Sequence, residues 1–290
     1  MSFEKILKIK IPGQHQDKQP GEESLMNPAP IYTLLNYTYP SGRLKDKVAI
    51  ITGGDSGIGK AVALAYAKEG AKVAIVYLNE HDDAKKTKSL IEENGGKCIL
   101  ISGDIGEESF CKKVVDEVIQ NFKTINILVN NSGEQHTANS IEDITAKQLE
   151  RTFKTNFFGA FYLSKAVIPH LKQGDSIINT TSVTAYQGNE TLIDYSSSKG
   201  ALTSFTRSLA KNLATNGIRV NAVAPGPIWT PLIPSSFDNN RVSTFGQNTA
   251  MKRAGQPVEL AESYVFLASN GASYITGETI HVNGGDMVNS

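Results

Sequence analysis

The sequence predicts an α/β fold in which one parallel sheet of seven strands is covered by helices on both faces. From Lys47 onward, short runs rich in β-branched residues alternate with longer stretches of helical periodicity. The short runs are mainly apolar, which is typical of strands buried on both faces of a sheet. No break in composition and no internal repeat divides residues 44–290. We therefore expect one doubly wound domain over residues 44–290.

The predicted strands follow one another along this domain with helices between most of them. Residues 57–69 and 82–94 are the first two predicted helices, and a long irregular stretch precedes the last strand. Since parallel strands need crossover connections, this alternation is the order that a doubly wound sheet requires. The seven predicted strands are residues 48–52, 72–78, 98–102, 127–130, 176–180, 219–223 and 279–282.

The first 43 residues differ in composition from the rest of the chain. Five prolines and a polar run from Gln14 to Gln19 predict an extended arm with little regular structure. Apolar residues between Ile31 and Tyr39 indicate that its second half packs on the body or on a neighbouring subunit. We expect this arm to add contacts between subunits.

Composition and charge exclude several classes of protein. The chain has 290 residues, with 29 basic and 29 acidic side chains, so bulk charge gives no affinity for nucleic acid or membrane surfaces. The longest apolar run, residues 61–67, is too short to cross a bilayer, and the N-terminus lacks the apolar segment of a signal peptide. Cys98 and Cys111 lack metal-ligand spacing, which indicates reduced thiols. We expect a cytoplasmic protein without a metal site.

A glycine-rich turn follows the first predicted strand. Residues 52–59 read Thr-Gly-Gly-Asp-Ser-Gly-Ile-Gly and lead directly into a helix. Glycines allow main-chain N–H groups to approach phosphate, and a helix N-terminus favours negative charge, so this turn predicts a pyrophosphate site. Its spacing differs from the usual Gly-x-Gly-x-x-Gly pattern, and an ordinary strand-to-helix turn is the alternative.

Tyr195 and Lys199 are four residues apart in a predicted helix, so their side chains lie on one face, one turn apart. A positive charge beside a phenol favours its ionised form and lowers its pKa. A tyrosine of lowered pKa can exchange a proton with an alcohol oxygen. Because charged pairs at this spacing are common on exposed helices, a surface pair is the alternative.

Taken together, these segments resemble the short-chain dehydrogenase/reductase family over residues 44–290. The turn at residues 52–59 matches the family's Thr-Gly-x-x-x-Gly-Ile-Gly, and Asn130-Asn131-Ser132-Gly133 resembles its Asn-Asn-Ala-Gly. Pro225-Gly226 and the ending at residues 277–285 are also typical of the family. The arm resembles an extension found in a group of bacterial stress-associated oxidoreductases. The resemblance implies a Rossmann-type fold and an NAD(P)-dependent enzyme that interconverts an alcohol and a carbonyl.

Four catalytic residues are implied by the resemblance. Tyr195 would be the acid and base, and Ser182 would orient the substrate oxygen. Lys199 would bind the nicotinamide ribose and lower the pKa of Tyr195, and Asn156 would bind a water that links Lys199 to solvent. All four positions are filled by the expected residue types, which argues against a relative that has lost its activity.

The resemblance also implies the cofactor contacts. Asp55 and Glu80 would repel the 2′-phosphate of NADP, so we expect NAD, with NADP as the alternative if Lys85 or Lys86 reaches that phosphate. The expected cofactor-binding residues are Gly53, Asp55, Ser56, Gly57, Ile58, Gly59, Tyr77, Leu78, Asn79, Asp104, Ile105, Asn131, Ser132, Gly133, Tyr195, Lys199, Pro225, Gly226, Ile228 and Thr230.

We expect the irregular segment 226–257 to cover the active site and to select the substrate. Its mixed aromatic and apolar residues fit a small or medium alcohol or carbonyl compound. The expected substrate contacts are Ser182, Val183, Gln187 and Trp229.

Two other functions remain open from the sequence. One is a sugar-nucleotide epimerase or dehydratase, whose relatives also use Tyr-x-x-x-Lys but carry a larger C-terminal region. The other is a dinucleotide-binding sensor or scaffold without turnover. Family members of this branch are mostly tetramers, so the resemblance implies a homotetramer paired through the helices near Asn156 and Tyr195 and through the last strand.

Overall fold

Seven strands form one parallel sheet in this computed structural model, which describes residues 9–33 and 42–288. Their spatial order is β3-β2-β1-β4-β5-β6-β7, and every neighbouring pair is parallel. The predicted doubly wound fold is therefore confirmed. The strands are β1 Val48–Thr52, β2 Lys72–Tyr77, β3 Lys97–Ser102, β4 Ile127–Asn130, β5 Ser176–Thr180, β6 Arg219–Pro225 and β7 Thr279–Val282.

Helices cover both faces of the sheet in the described residues. The helices are α1 Gly57–Lys68, α2 His81–Glu93, α3 Glu108–Phe122, α4 Ala146–Phe153, α5 Gly159–Val167, α6 Thr184–Gln187, α7 Ile193–Leu213, α8 Asn239–Ser243 and α9 Val258–Ala268. A π-helical turn, Lys154–Phe158, joins α4 to α5. No helix in the described ranges is both long enough and apolar enough to cross a membrane.

Two apolar layers form the core because side chains alternate between the faces of each strand. Ala49 and Ile51 of β1 pack in one layer with α1, α2 and α9. Val48 and Ile50 of the same strand pack in the other layer with α3, α5 and α7. Strands β1, β4, β5 and β6 are buried at every position, as expected for strands that are covered on both faces.

Within residues 9–33, the N-terminal arm has one 3-10 turn, Glu23–Leu25, and its other residues lie outside helices and strands. Its later part packs on the body, since Ile31 is buried and its carbonyl accepts a hydrogen bond from Val258 N. Of the apolar residues expected to pack, Leu34, Leu35, Tyr37 and Tyr39 lie outside the described residues.

The order of the strands positions a crevice at one edge of the sheet. The crossover from β1 leads to β2 on one side, whereas β4 pairs with β1 on the other. The connections that leave the carboxyl ends of β1 and β4 therefore diverge to opposite sides of the sheet. In open α/β sheets, ligands bind at such a reversal.

Candidate active site

A cleft with a volume of about 580 Å³ lies at the carboxyl ends of the strands. Its wall includes the glycine-rich turn after β1, the segment after β4, and the start of α7. Ser182, Tyr195 and Lys199 lie in the same cleft as that turn. The fold thus brings together the two features that the sequence placed about 140 residues apart.

The glycine-rich turn has a backbone that side chains would obstruct. Gly53 has φ of +61°, in the left-handed region, where residues with a Cβ are strained. At Gly59, a Cβ atom would lie 2.0 Å from the Gly53 carbonyl oxygen and 2.7 Å from Asn131 Nδ2. The absence of a side chain therefore lets the first turn of α1 approach β1 closely.

Thr52 connects this turn to the segment after β4. Its hydroxyl accepts hydrogen bonds from the main-chain N–H groups of Asn131 (2.9 Å) and Ser132 (3.0 Å). The Asn131 amide donates in return to the Thr52 carbonyl at 3.1 Å. A tight turn at the N-terminus of α1, beside a cleft of this volume, fits a dinucleotide whose pyrophosphate needs N–H donors.

Tyr195 and Lys199 lie one turn apart on α7, both buried in the protein wall of the cleft. The Lys199 Nζ atom is 5.7 Å from the centroid of the Tyr195 ring and donates a hydrogen bond of 2.8 Å to the Thr180 carbonyl. Ser182, just beyond β5, accepts hydrogen bonds from the Thr184 N–H and hydroxyl groups at 3.1 and 3.0 Å. The three side chains surround one end of the cleft.

The pKa values of this pair differ from the expectation. Burial raises the pKa of Tyr195 to about 12, and a hydrogen bond with Ser182 opposes the rise. Burial lowers the pKa of Lys199 to about 8. The expected fall in the pKa of Tyr195 is therefore absent from the ligand-free protein, because loss of solvation outweighs the effect of its surroundings.

Asn156 lies in the π-helical turn, behind the cleft wall. Its side-chain oxygen accepts a hydrogen bond from Glu134 N at 2.8 Å. Its amide nitrogen donates to the Glu134 carbonyl (2.9 Å) and to the Ser198 hydroxyl (3.0 Å). Asn156 thus connects the segment after β4 to α7, next to Lys199. Departures from the α-helical hydrogen-bond pattern of this kind are frequent at functional sites.

Most of the residues expected to bind cofactor or substrate line the cleft. Four of the expected residues do not: Gly59, Asn79, Asn156 and Trp229. Gly59 and Asn156 lie directly behind the wall, whereas Asn79 follows the end of β2, outside the lining. The expected residues in the lining are Gly53, Asp55, Ser56, Gly57, Ile58, Tyr77, Leu78, Asp104, Ile105, Asn131, Ser132, Gly133, Ser182, Val183, Gln187, Tyr195, Lys199, Pro225, Gly226, Ile228 and Thr230.

The expectation for Trp229 as a substrate contact is wrong. Its side chain is 0% exposed and belongs to an apolar cluster with Met26 and Leu192. Its indole N–H donates a hydrogen bond of 2.7 Å to the Pro28 carbonyl of the arm. Some residues of segment 226–257 pack on the protein and others line the cleft. Composition alone does not tell which residues belong to which group. Trp229 anchors the arm.

Other residues of that segment, up to Thr249, line the cleft. The Arg241 guanidinium lies 4.2 Å from the centroid of the Phe237 ring and donates to the Thr191 hydroxyl at 2.9 Å. Arg253, in contrast, pairs with Glu259 at 2.7 Å and does not line the cleft. The lining residues of this segment include Leu232, Ile233, Phe237, Arg241, Thr244, Phe245 and Asn248.

Arg151 lines the cleft, although no motif in the sequence pointed to it. Its guanidinium pairs with Asp104 at 2.5 Å and with Glu134 at 2.9 Å. His136 also contacts Glu134, at 2.8 Å. The pKa of the Glu134 carboxyl is lowered, since the contacts from His136 and Arg151 outweigh the opposing effect of burial. An arginine on an amphipathic helix reads as a surface residue, so only its partners reveal this network.

The end of the cleft beyond β2 is acidic. Burial raises the pKa of Asp55 to about 6, and the carboxylates of Asp83 and Glu80 add to the rise. Lys85 and Lys86, the two cations that the sequence suggested for the 2′-phosphate, pair with Asp82 (3.5 Å) and Asp83 (3.7 Å). Neither lysine lines the cleft.

Comparison with known proteins identifies relatives that match nearly the whole chain. A family model described as Enoyl-(Acyl carrier protein) reductase matches residues 53–286. The uncharacterized oxidoreductase YhxC of Bacillus subtilis is 60% identical over 96% of this chain and 97% of its own. NADPH-dependent aldehyde reductase 1, chloroplastic, of Arabidopsis thaliana is 50% identical, and the glucose and ribitol dehydrogenase of Daucus carota is 48% identical. For both, the match covers 96% of this chain and 98% of the relative.

Solved structures also match most of this chain. A short chain dehydrogenase from Burkholderia cenocepacia, in complex with NADP, superimposes with a TM-score of 0.80 at 31% identity, over 84% of this chain and 99% of that chain. The 3-ketoacyl-(acyl-carrier-protein) reductase from Brucella melitensis, complexed with NADH, has a TM-score of 0.78 at 33% identity. That match covers 84% of this chain and 100% of the other.

Proposed function

Because the chain belongs to the short-chain dehydrogenase/reductase family and is an NAD(P)-dependent oxidoreductase, we propose that Tyr195 is its acid and base in the interconversion of an alcohol and a carbonyl. The observation that carries this proposal is the convergence of Ser182, Tyr195 and Lys199 in the cleft that also contains the glycine-rich turn. The comparisons favour this reaction over an epimerase or a sensor without turnover.

In the proposed mechanism the bound nicotinamide supplies or accepts the hydride. The protein supplies the proton and the position of the substrate. In reduction, the Tyr195 hydroxyl gives its proton to the carbonyl oxygen, and in oxidation it takes the proton from the alcohol. Ser182 orients that oxygen, and Lys199 contributes a positive charge nearby. Asn156 positions α7 through its hydrogen bond to Ser198.

For the cofactor, we propose a preference for NAD over NADP. The support is the acidic end of the cleft, where Asp55 and Glu80 line the wall and neither Lys85 nor Lys86 does. Like charges disfavour one another at short range, so a 2′-phosphate dianion would be repelled there. The relative from Arabidopsis is named for NADPH, which makes the choice of cofactor a direct test of these carboxylates.

For the substrate, we propose a small alcohol or carbonyl compound that carries further hydroxyl groups. Two relatives are named as a glucose and ribitol dehydrogenase and as an aldehyde reductase. The cleft wall has hydrogen-bonding side chains among its aromatic ones, including Gln187, Asn189 and Asn248. Such polar groups fix the orientation of a polar ligand.

We also propose that residues 44–290 form one catalytic domain and that the protein is cytoplasmic. A third proposal is assembly into a homotetramer. The support for assembly is a cluster of contacting aromatic rings on the π-helical turn, α5 and α7, formed by Phe157, Phe158, Phe161, Tyr162 and Phe205. Phe161 is 41% exposed in one chain. Exposed aromatic patches are typical of interfaces.

Titration with NADH and with NADPH, followed by nicotinamide fluorescence, tests the cofactor. Turnover is then measured on a panel of secondary alcohols, polyols and aldoses, and on their carbonyl products. Tight binding of NADH with weak binding of NADPH is the expected result, with turnover of at least one panel member. Cofactor binding without turnover of any panel member would favour a sensor and would overturn the proposed function.

A further inference from the structure

The N-terminal arm forms part of the cleft wall. Gln19, Pro20 and Gly21 line the same cleft as Tyr195 and Lys199. At Gly21 a Cβ atom would lie 2.3 Å from the Pro231 carbonyl oxygen, so the arm contacts segment 226–257 without intervening space. The sequence of the arm predicts a role in assembly, and its place in the cleft indicates a part in ligand binding.

Gln19 connects the arm to the segment after β4. Its amide nitrogen donates to the Gln135 carbonyl at 2.5 Å, and its amide oxygen accepts from Gln135 N at 3.3 Å. One side chain thereby pairs with both main-chain groups of Gln135, much as a neighbouring strand would. The two hydrogen bonds from Gln19 restrict the backbone of Gln135, and therefore the direction of the Gln135 side chain.

The Gln135 side chain has a hydrogen-bonding group without a protein partner. Gln135 is 4% exposed and lines the cleft, and its Nε2 atom has no hydrogen-bond partner in the described residues. A buried polar atom without a partner costs free energy, and most such atoms in proteins are paired. An unpartnered amide at the wall of a ligand cleft therefore indicates a ligand oxygen as its partner.

The position of Gln135 assigns this oxygen to the substrate end of the cleft. The residue before it, Glu134, contacts Asn156 through both main-chain groups. Three residues after it, Ala138 N donates to the Thr191 carbonyl at 3.0 Å, just before α7. Gln135 is therefore held between the two elements that carry Asn156 and Tyr195.

We propose that Gln135 is a specificity-determining residue, whose amide hydrogen-bonds a substrate oxygen other than the one that reacts. Gln19 of the arm is its positioning residue and acts only through the main chain of Gln135. This inference rests on the proposed function, since it requires that the cleft binds an alcohol or carbonyl substrate. The substrate class that it favours is a hydroxylated alcohol or its carbonyl product.

The test compares alcohols in matched pairs. The wild-type protein is assayed with propane-1,2-diol against 2-propanol, butane-1,3-diol against 2-butanol, and ribitol against 3-pentanol. The selectivity is the ratio of kcat/KM for the hydroxylated member to that for its partner. We expect Gln135→Met, which keeps the length of the side chain, to lower this ratio about tenfold, the effect of one lost hydrogen bond. Gln120→Met, on the exposed face of α3, is the matched control.

Gln19→Ala tests the role of the arm. It should lower the same ratio, and the double variant Gln19→Ala/Gln135→Met should lower it no further than Gln135→Met alone, because the two residues act as one unit. An arm that only stabilises the fold would not change the ratio. Additive effects in the double variant would overturn the positioning role of Gln19.

Three results would overturn the role of Gln135. They are a wild-type ratio near one in every pair, an unchanged ratio in Gln135→Met, and an equal loss on both members of each pair. Each of these leaves oxidoreduction intact. Absence of turnover on every alcohol and carbonyl by the wild-type protein would instead count against the proposed function, and against this inference with it.

Discussion

The Lys199 ammonium donates its hydrogen bond to the main-chain carbonyl of Thr180, at 2.8 Å, while its Nζ atom lies 5.7 Å from the centroid of the Tyr195 ring. The main chain at the end of β5 therefore determines the position of the Lys199 ammonium group. The four-residue spacing of Tyr195 and Lys199 on α7 determines only that their side chains lie on one face of the helix. In the ligand-free protein this leaves the pKa of Tyr195 at about 12 and that of Lys199 at about 8.

Replacement of the Tyr195 hydroxyl tests the proposed acid and base. Tyr195→Phe should lower kcat by about 10²–10⁴-fold, the usual contribution of such a group. The dissociation constant for NADH should change by less than about threefold, because the ring and its packing remain. Steady-state kinetics and fluorescence titration measure the two effects. Tyr274→Phe, at a fully exposed position, is the control. Near-complete turnover in Tyr195→Phe would refute the mechanism.

Lys199 should lower the free energy of unfolding, although the proposed mechanism requires it for activity. Its pKa falls from 10.5 to about 8 on folding, so the unfolded chain binds the proton more strongly. The cost is fully present below pH 8, and stability rises with pH from about 8 to about 10.5. Lys199→Met should therefore raise the free energy of unfolding by ~2 kcal/mol at pH 7, after loss of the hydrogen bond to Thr180.

Urea unfolding at pH 7 and pH 9.5, at a fixed protein concentration, measures this gain. The gain should shrink at pH 9.5, and the variant should lose turnover. A Lys199→Met protein less stable than wild type at pH 7 would contradict the prediction.

Asp55 should make the choice of cofactor depend on pH. Its pKa is raised to about 6, so it is charged at pH 8 and largely neutral at pH 5. The ratio of the dissociation constants for NADPH and NADH should therefore fall as the pH falls through 6. Asp55→Asn should show a smaller ratio at pH 8 and a smaller change with pH than the wild-type protein, with the remaining change due to the 2′-phosphate, whose second pKa is about 6.

Fluorescence titration across this pH range gives both ratios. Lys18 is the cation of the arm that would favour the opposite preference, for NADPH. It lies near the acidic end of the cleft, since its pKa is raised by a hydrogen bond with Glu22 and by the charge of Glu80. A preference for NADPH that Lys18→Met abolishes would mean that the arm, not the body, sets the choice of cofactor.

The arm should contribute to stability through one buried ion pair. Lys60 Nζ contacts Glu23 Oε1 at 2.6 Å, and the two side chains are 4% and 13% exposed. Glu23→Ala leaves a buried ammonium without its partner and should lower the free energy of unfolding by about 3 kcal/mol. The double variant Glu23→Ala/Lys60→Met should lose less, because no buried charge remains. Urea unfolding measures both, with Glu92→Ala, in the exposed Lys88–Glu92 pair, as the control. A larger loss in the double variant would contradict this account.

The aromatic cluster on α5 and α7 should be an interface between subunits. Phe161→Ser removes an exposed ring from its centre and should weaken assembly, because aromatic side chains dominate the energetics of interfaces. Sedimentation velocity at several concentrations measures the change. Leu90→Ser, at a similarly exposed position on α2, is the control. An unchanged distribution for Phe161→Ser would remove the support for this face.

The sequence by itself determined the fold class and most of the candidate site, because both depend on local patterns. Alternating apolar strands and helices specify a parallel sheet, the glycine-rich turn follows β1 directly, and Tyr195 and Lys199 share a helix. Tertiary structure alone decided which side chains meet across long separations. Gln19 contacts Gln135 over 116 positions and Trp229 contacts Pro28 over 201. No periodicity records such contacts, since they arise only when segments pack. For this reason the place of the arm in the cleft, the burial of Trp229 and the ion pairs of Arg151 could not be predicted.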